Sequence, residues 1–369
     1  MIECRTIKEL CSVVVDCSHS TPTWTAEGKI VVRNNNIKNG RIDFSSPSYT
    51  DDEHYQQRIK RATPQGGDII ITREAPMGEV GMIPEGIVCC LGQRMVLLRA
   101  NPDICDNYYL LYSLQSRYVQ HQISWSEGTG TTVSNLRIPH LEQLKIPYLP
   151  LSQQRQVSSV LRCLEEKIKH NRVINDNLQQ QAQAIYASMF VDNAEPTWKQ
   201  GHLSDFVIVR YGKDHKKLAD GIYPVYGSGG IMRHVERPLY DKESVLIPRK
   251  GTLNNVMYVN QPFWSVDTMF YTEMRLPNVA KFVYHFVKAK DLAAMNAGSA
   301  VPSMTTDILN AMEIAIPPAT VLEEFESLVA PMYRAMQGND AQSKKLADLR
   351  NALLPKLMSG EIDVSDIQL

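Results

Sequence analysis

The sequence lacks a strong charge bias, a long apolar run and any close pairing of cysteines. Its 369 residues carry a formal net charge of −1, which excludes a strongly basic protein that coats DNA and equally an acidic tail protein. A neutral total is still compatible with a local basic patch. Charged residues make up 21% and hydrophobic residues 43% of the chain, so wholesale disorder is excluded.

The cysteines exclude two further classes of protein. Their number is odd, seven, and none belongs to a C-x-x-C pair, so neither a secreted disulfide framework nor a zinc site is predicted. No apolar run approaches the roughly 20 residues of a membrane helix, and residues 1–8 lack the apolar stretch of a signal peptide. We therefore expect a soluble protein of the reducing cytoplasm.

Motifs of catalytic and metal-binding sites are also missing. There is no G-x-x-x-x-G-K-[ST] phosphate loop and no Asn-Pro-Pro or Asp-Pro-Pro tetrapeptide of a base methyltransferase, for which 261–264 is the nearest segment. Glu165 and Lys167 have nuclease-like E-x-K spacing only in name, since they lie on a predicted helix. The histidines show no pair at helical metal spacing, and no residue nominates a catalytic triad. We expect no catalytic residue and no metal on this chain.

The chain repeats itself once. Three segments recur in the same order at offsets of 168 to 176 residues. The pairs are Asp68–Arg73 with Ser244–Arg249, Gly128 and Leu144–Pro147 with Gly298 and Ile314–Pro317, and Asn171–Leu178 with Asn339–Leu346. A unit of about 170 residues is too long for a solenoid repeat. The pattern indicates a duplicated domain with a connector.

Each copy ends in a segment that is predicted to form a long helix. Residues 151–190 contain neither Pro nor Gly, and their core positions alternate by four and three residues, as in a coiled coil. These positions are Val157, Leu161, Leu164, Ile168, Asn171, Asn175, Leu178, Ala182, Ile185 and Met189. The two asparagines either fix the register of the helix or face water where the stripe drifts.

The second stripe is less regular. Its positions are Leu322, Phe325, Val329, Met332, Met336, Asn339, Leu346, Leu353 and Leu357. Pro331 predicts a kink or a break in this helix, and Gly338 weakens it further. Two apolar stripes in one chain predict an intramolecular antiparallel pair with pseudo-twofold symmetry; self-association of two chains is the alternative.

The segments that precede the helices alternate short apolar strands with Gly, Asn and Pro turns, so an α+β fold is predicted. Strands are expected at 13–15, 30–32, 69–71, 95–98, 245–247 and 269–271, and shorter helices near 106–122 and 279–295. The predicted organisation is a globular domain at 1–150, a helix at 151–194, a second globular domain at 195–318 and a second helix at 319–369.

Basic residues cluster in both globular segments. The first has Arg33–Arg41, rich in Asn, and Arg58–Arg61; the second has Lys213–Lys217, then Arg233 and Arg249–Lys250. Lys and Arg neutralise phosphates, and Arg, Asn and Gln can also make bidentate hydrogen bonds to base edges. The clusters suit contact with DNA; an ordinary solvated surface is the alternative.

Several motifs resemble the specificity subunits of type I restriction–modification systems. Pro150–Val157 with Lys167, Ile168, Asn171 and Asn175–Leu178 resembles their central conserved region, and Leu349–Ile362 their distal one. Asp16–Pro22 and Asn36–Gly40 look like the opening of a target-recognition domain, and Gly67–Thr72 like its later strand. The resemblance spans nearly the whole chain in the order of the family. Departures are Pro331, Gly338 and Val321–Glu324, where a Gln-type residue is usual.

The resemblance implies a non-catalytic subunit in which each recognition domain reads half of a bipartite, asymmetric site on double-stranded DNA. The paired helices would set the distance between the halves. Two methyltransferase subunits, which would carry S-adenosylmethionine, and two motor-nuclease (restriction) subunits would complete the complex; no cofactor is expected on this chain. Gly128 and Gly298 are expected to be turns. The expected DNA contacts are Arg33, Lys38, Arg41, Lys60, Arg73 and Arg94, and Lys213, Lys216, Lys217, Arg233, Arg249 and Lys250.

Two other functions remain open from the sequence. A self-contained DNA-modifying enzyme would need a methylase or nuclease motif, and none is recognised. A coiled-coil scaffold unrelated to DNA would show no sequence-specific retention of duplex DNA.

Overall fold

The structure is a computed structural model that describes residues 3–38, 40–125, 135–295, 303–362 and 364. The chain divides into two compact units. The first unit contains Met1–His170 and Gln342–Leu369, and the second unit contains Asn171–Ala341. Gly128 and Gly298, which mark one of the repeated segments, lie outside the described residues.

The elements of the first unit follow the chain as short strands and helices and end in a long helix. They are β1 (Cys4–Thr6), α1 (Ile7–Leu10), β2 (Cys11–Asp16), β3 (Lys29–Val32), β4 (Ile37–Lys38), β5 (Arg41–Ile42), β6 (Ser48–Thr50), α2 (Asp52–Arg58), β7 (Ile69–Thr72), β8 (Val80–Met82), β9 (Cys89–Leu91), β10 (Met95–Ala100), α3 (Asn107–Gln115), α4 (Arg117–Ser124), α5 (Ile138–Gln143), β11 (Lys145–Pro147) and α6 (Leu151–Ala187). Helix α6 continues into a π-helical turn at Ser188–Asp192 and belongs to both units.

The second unit has a similar order. Its elements are β12 (Lys199–His202), α7 (Leu203–Phe206), β13 (Val207–Tyr211), β14 (Asp220–Gly227), β15 (Gly230–Val235), β16 (Ser244–Pro248), β17 (Met257–Val259), β18 (Trp264–Ser265), β19 (Met269–Met274), α8 (Ala280–Lys288), α9 (Thr306–Asn310), β20 (Glu313–Ile316) and α10 (Ala319–Met358). Among the described residues, no helix is long and apolar enough to cross a membrane.

Three sheets recur with the same topology in the two units, and the first unit has the two-stranded sheet β4-β5 in addition. A four-stranded antiparallel sheet has the order β2-β10-β7-β8 in the first unit and β13-β19-β16-β17 in the second. Each unit also has a three-stranded sheet with one parallel pair, in the order β6-β3-β9 in the first unit and β15-β14-β18 in the second. A two-stranded sheet joins the start and the end of each globule, β1-β11 and β12-β20. The duplicated α+β fold predicted from the sequence is therefore confirmed.

The β-branched strands are buried because both faces of each four-stranded sheet are covered. Alternate residues of β7 fall in different cores: Ile69 and Ile71 pack with α3, whereas Ile70 packs towards β3 and β9. In β16, Val245 and Ile247 pack with α8, and Leu246 packs with the three-stranded sheet. Because side chains alternate along a strand, one face of each four-stranded sheet packs against helices and the other face packs against the three-stranded sheet.

The two long helices pack antiparallel. In the first unit, Val157 and Leu161 of α6 pack with Leu353, Leu354 and Leu357 of α10, and Glu165, later in α6, pairs with Arg350, earlier in α10 (3.0 Å). Rising positions in one helix therefore meet falling positions in the other. In the second unit, Asn171 donates to the Asn339 carbonyl (3.3 Å) and Asn175 to the Met336 carbonyl (3.3 Å), with the same sense. All ten stripe positions of α6 are buried or half-buried, and the predicted pairing is confirmed.

Three local predictions need correction. Pro331 does not break α10, which runs unbroken from Ala319 to Met358, with Pro331 on its exposed face. The helix expected at 106–122 is two helices, because the Ser116 hydroxyl accepts from the Val119 N–H and starts α4. The helix expected at 279–295 ends at Lys288.

Candidate nucleic-acid interface

In the first unit, predicted contact residues gather where β7 ends and β10 begins. Arg73 follows β7, and its N–H donates to the carbonyl of Arg94, which precedes β10 (2.8 Å). The Arg73 guanidinium makes two hydrogen bonds to the Asp16 carboxylate at the end of β2 (3.1 and 3.0 Å). It donates further to the Leu136 carbonyl (2.9 Å) and the Asn135 amide oxygen (3.2 Å). The side chain of Arg73 is only 12% exposed and is already hydrogen-bonded within the unit.

Arg94 and Arg33 are exposed at the same edge but have different partners. Arg94 forms an ion pair with Glu74 (3.2 Å). The Arg33 guanidinium carbon lies 5.1 Å from the ring centroid of Trp24, which is itself 46% exposed, and Arg33 donates to the Ser48 hydroxyl (3.4 Å). Asn34 donates to the Glu74 carbonyl (2.7 Å), which connects the Arg33 turn to the Arg94 ion pair.

Lys60 lies beside a loop cluster that Arg58 fixes. The Arg58 guanidinium donates to four carbonyls, those of Leu91 (2.8 Å), Gly92 (2.9 Å), Ser20 (3.1 Å) and Ser18 (3.3 Å). Burial lowers the pKa of Arg58 below its ordinary value. Lys60 lines the shallow depression beside these loops, and it is exposed without an ion pair among the described residues. Arg58 therefore acts as a structural clamp, and Lys60 is the available charge.

Lys38 and Arg41 lie apart from this edge, on the β4–β5 hairpin. The Arg41 guanidinium donates to the Glu165 carbonyl of α6 (3.4 Å), and Gly40 packs against the Gln115 side chain. Lys38 is exposed on the same hairpin. The first unit therefore divides the predicted contacts into an edge group and a hairpin group.

In the second unit, the lysines lie in the loop that follows β13. Lys213 is tied to β18, because its N–H donates to the Ser265 carbonyl (2.8 Å) and its carbonyl accepts from the Trp264 indole N–H (2.8 Å). Lys216 and Lys217 follow, and all three side chains are exposed without an ion pair among the described residues. The loop thus has a hydrogen-bonded backbone and exposed lysine side chains, an arrangement that suits phosphate contacts.

The remaining predicted contacts of the second unit differ in their burial and in their hydrogen-bond partners. Arg233 of β15 is half-buried and donates to the Leu218 carbonyl (2.8 Å) and the Asp220 carboxylate (2.9 Å). Arg249 follows β16, and its guanidinium carbon lies 5.4 Å from the ring centroid of Tyr211. Lys250 is exposed beside it. The Arg249 and Lys250 N–H groups both point to the Thr268 carbonyl (2.9 and 3.2 Å), which fixes this turn against the start of β19.

Sequence reasoning missed the aromatic residues of both edges. Trp24 and Tyr211 are 46% and 52% exposed, and each lies against an arginine. A signal existed for Tyr211, since an aromatic residue directly before Gly212 and Lys213 at the end of a strand is placed beside a basic loop. Aromatic rings next to cations provide stacking surfaces for bases and for guanidinium groups.

Neither edge has the geometry of a catalytic or metal centre. No group of three or more His, Cys, Asp and Glu side chains that could hold a metal is found among the described residues. Burial raises the pKa of the Cys17 thiol, and Sγ accepts a hydrogen bond from the Met95 N–H (3.2 Å), so this cysteine is no activated nucleophile. The arrangement can bind a polyanion and contact base edges.

Each copy of the duplicated α+β domain thus has an exposed aromatic residue beside an arginine, with further exposed basic residues nearby. The type I restriction modification DNA specificity domain family model matches residues 3–180 and 195–323. The chain belongs to this family.

The chain is also similar to individual members over most of its length. It is 23% identical to the type I restriction enzyme MjaIX specificity subunit of Methanocaldococcus jannaschii over 345 aligned residues, which cover 82% of this chain and 79% of the relative. It is 22% identical to a putative type I specificity subunit of Mycoplasma pneumoniae, covering 73% of this chain and 76% of the relative. The crystal structure of a type I S subunit from M. genitalium has the same fold, with a TM-score of 0.60, 18% identity and coverage of 97% and 96%.

Proposed function

We propose that this chain is the specificity subunit that reads a bipartite, asymmetric DNA site, one half with each recognition domain (1–150 and 195–318). The helical segments 151–194 and 319–369 act as the spacer between the two readers. The observation that carries this proposal is one fold present twice with different residues at the same edge: Asp16 and Arg73 in one copy correspond to Tyr211 and Arg249 in the other. A duplication that preserves the scaffold and changes the edge suits the recognition of two different half-sites.

The proposal includes partners that perform the chemistry. Two methyltransferase subunits bind S-adenosylmethionine and flip the target adenine, and two motor-nuclease subunits complete the restriction complex. This chain contributes no catalytic group, no metal and no cofactor. It works on double-stranded DNA in the cytoplasm. Family membership and the basic edges support this assignment.

Co-expression with the methyltransferase subunit of its own system tests the function. Methylated adenines mapped in host DNA should define one motif of two short half-sites separated by an unread spacer. Replacing 195–318 with the corresponding segment of a relative should change one half-site and leave the other unchanged. Methylation without a defined motif would contradict the proposal. Methyl transfer by the purified chain alone would favour a DNA-modifying enzyme, and absence of sequence-specific DNA retention by the complex would favour a DNA-independent scaffold.

A further inference from the structure

Two of the predicted contact arginines lie over exposed aromatic rings. They are Arg33 over Trp24 in the first unit and Arg249 over Tyr211 in the second. Within the described residues, neither guanidinium has a carboxylate partner. They occupy different positions in the repeated fold, since Arg33 follows β3 of the three-stranded sheet and Arg249 follows β16 of the four-stranded sheet. The two arginine–aromatic pairs are therefore not equivalent positions of the duplicated domain.

Arg249 has a fixed backbone and a guanidinium that lies over a ring, and most of its N–H donors make no hydrogen bond within the protein. Its N–H donates to the Thr268 carbonyl (2.9 Å), and its own carbonyl accepts from the Met304 N–H (2.9 Å). The Tyr211 ring packs edge-on against the buried Phe270 ring, with 5.0 Å between centroids, so the surface beneath Arg249 is anchored in the core. One hydrogen bond, from Nη1 to the Asp267 carbonyl (3.3 Å), leaves most donors of the fork available.

Arg33 has a comparable arrangement built from other elements. Its N–H donates to the Asn36 amide oxygen (2.8 Å), and the Asn36 N–H donates back to the Arg33 carbonyl (3.0 Å), which fixes the turn after β3. Its guanidinium lies over Trp24 and makes one bond, 3.4 Å long, to the Ser48 hydroxyl. Here too the ring restricts the side chain while the hydrogen-bonding edge stays open.

The other predicted arginines are engaged within the protein. Arg73, Arg94 and Arg233 are each paired with a carboxylate, from Asp16, Glu74 and Asp220 respectively. Arg41 donates to the backbone of α6. An arginine in an ion pair must lose that pair before it can bind a base, whereas a stacked arginine loses little rotamer freedom on binding. The lysines present point charges, which suit phosphates and not the paired acceptors of a base.

We propose that Arg33 and Arg249 are the arginines that read guanine, each through two hydrogen bonds to O6 and N7 in the major groove of its own half-site. The inference rests on the proposed function and adds the base and the residues that recognise it. Trp24 and Tyr211 are positioning residues that hold the guanidinium plane. The lysines Lys60, Lys213, Lys216, Lys217 and Lys250 contact phosphates. Bidentate contact with guanine is the commonest specific contact of arginine with DNA.

Methylation mapping with conservative variants tests the assignment. In the full chain co-expressed with its methyltransferase subunit, Arg249→Lys should make one G·C position of one half-site degenerate and lower methylation of the original motif about 10- to 100-fold. Arg33→Lys should do the same in the other half-site only. Lysine keeps the charge but lacks the fork, so a phosphate contact would survive this substitution. Tyr211→Ala and Trp24→Ala should relax the same positions to a smaller extent.

Matched controls separate folding from recognition. Arg210→Lys changes an exposed arginine that is paired with Glu273 and is not among the predicted DNA contacts, and it should leave the motif unchanged. Co-purification with the methyltransferase subunit and an unchanged unfolding midpoint show that each variant is folded. The inference is wrong if Arg249→Lys and Arg33→Lys keep the wild-type motif, if they weaken all sequences equally, or if a half-site contains no G·C pair. A wild-type complex without any motif would remove the proposed function, and the inference with it.

Discussion

The edges of the two four-stranded sheets occupy the same place in the fold but hold their arginines differently. Strand pairing aligns Asp16 with Tyr211 and Arg73 with Arg249, because Val96 and Phe270 are their common neighbours in β10 and β19. In the first unit the pair is a mostly buried ion pair, and in the second it is a cation over an exposed ring. A single change, from a carboxylate to an aromatic ring, thus decides whether the arginine is neutralised within the protein or keeps most of its donors free.

A second pair of equivalent positions connects the globules to the long helices. Tyr112 in α3 and His285 in α8 lie at the same distance from the start of their helices, as do Glu165 in α6 and Tyr333 in α10. In the first unit the Tyr112 hydroxyl donates to the Glu165 carboxylate (3.2 Å). In the second unit the Tyr333 hydroxyl donates to Nε2 of His285 (3.0 Å). The contact is preserved although both residues differ.

The largest expected effect concerns the arginines at the two edges. Arg73→Ala should lower the free energy of unfolding by about 3 kcal/mol, because it leaves the mostly buried Asp16 carboxylate with only its His19 contact (2.7 Å) and removes bonds to the Leu136 and Asn135 oxygens. Arg249→Ala should cost under about 1 kcal/mol, since it removes one ring contact and one long hydrogen bond. Urea unfolding of both variants measures the difference, and equal losses would contradict the contrast between the edges.

The second prediction uses pH to separate the two helix contacts. Burial lowers the pKa of His285 to about 4, and its neighbours are uncharged: the Gln183 amide (2.7 Å) and the Tyr186, Tyr284 and Tyr333 rings. The unfolded state, with an ordinary histidine pKa near 6.5, binds more protons below that pH. The contribution of neutral His285 to the free energy of unfolding is therefore fully present above pH 6.5. It is lost as the pH falls towards 4, and the free energy of unfolding falls by at most about 3 kcal/mol.

The matched variant is His285→Gln, which retains polar atoms but cannot titrate. Urea unfolding of wild type between pH 7 and 4.5 should show a loss of stability that is smaller in His285→Gln. Burial raises the pKa of Tyr112, the equivalent residue, so the first unit has no such loss from this position. Identical pH profiles for the wild type and the variant would show that His285 does not control the acid sensitivity.

The elements of the fold that could be predicted from the sequence are those that depend on local residue patterns. The β-branched runs around Ile70 and Leu246 and the 4-3 spacing of α6 depend on side-chain periodicity, and the structure has these elements. Partners distant in sequence could not be predicted. Nothing near Arg73 indicates that Asp16 will neutralise it, and nothing near Arg249 indicates that Tyr211 will lie beneath it. Which basic residues are exposed is therefore a property of the sheet register.

The third prediction compares the two long helices. Pro331 of α10 and Cys163 of α6 lie at the same distance from the start of their helices, and both are exposed. At this position the two helices differ in the backbone, because α10 has a proline where α6 has a cysteine. Proline removes one helical hydrogen bond and its ring crowds the preceding turn. Packing of the buried Phe325, Val329 and Tyr333 offsets this cost. Pro331→Ala should raise the free energy of unfolding by about 2 kcal/mol. An unchanged or lower free energy of unfolding in urea would show that Pro331 does not destabilise α10.

The smallest effect concerns the polar contacts within the helix pair. In the first unit the helices are joined by an ion pair between Glu165 and Arg350 (3.0 Å). In the second unit Asn175 donates to the Asp340 carboxylate (2.8 Å) and accepts from the Asn339 amide (2.8 Å). Since Asn175 is half-buried on the stripe, these bonds favour its role in fixing the register over simple exposure to water.

Asn175→Ala should therefore cost about 1 kcal/mol relative to Asp176→Ala, the exposed neighbour on α6. The comparison removes most of the helix-propensity gain that both alanines bring. Arg350→Ala should cost a similar amount at low ionic strength and less at 0.5 M salt, because screening weakens an ion pair that is partly exposed. Asn175→Ala should respond much less to salt, because a neutral amide supplies one side of each bond. If both variants showed the same salt dependence, the two halves of the helix pair would not differ in how they are held.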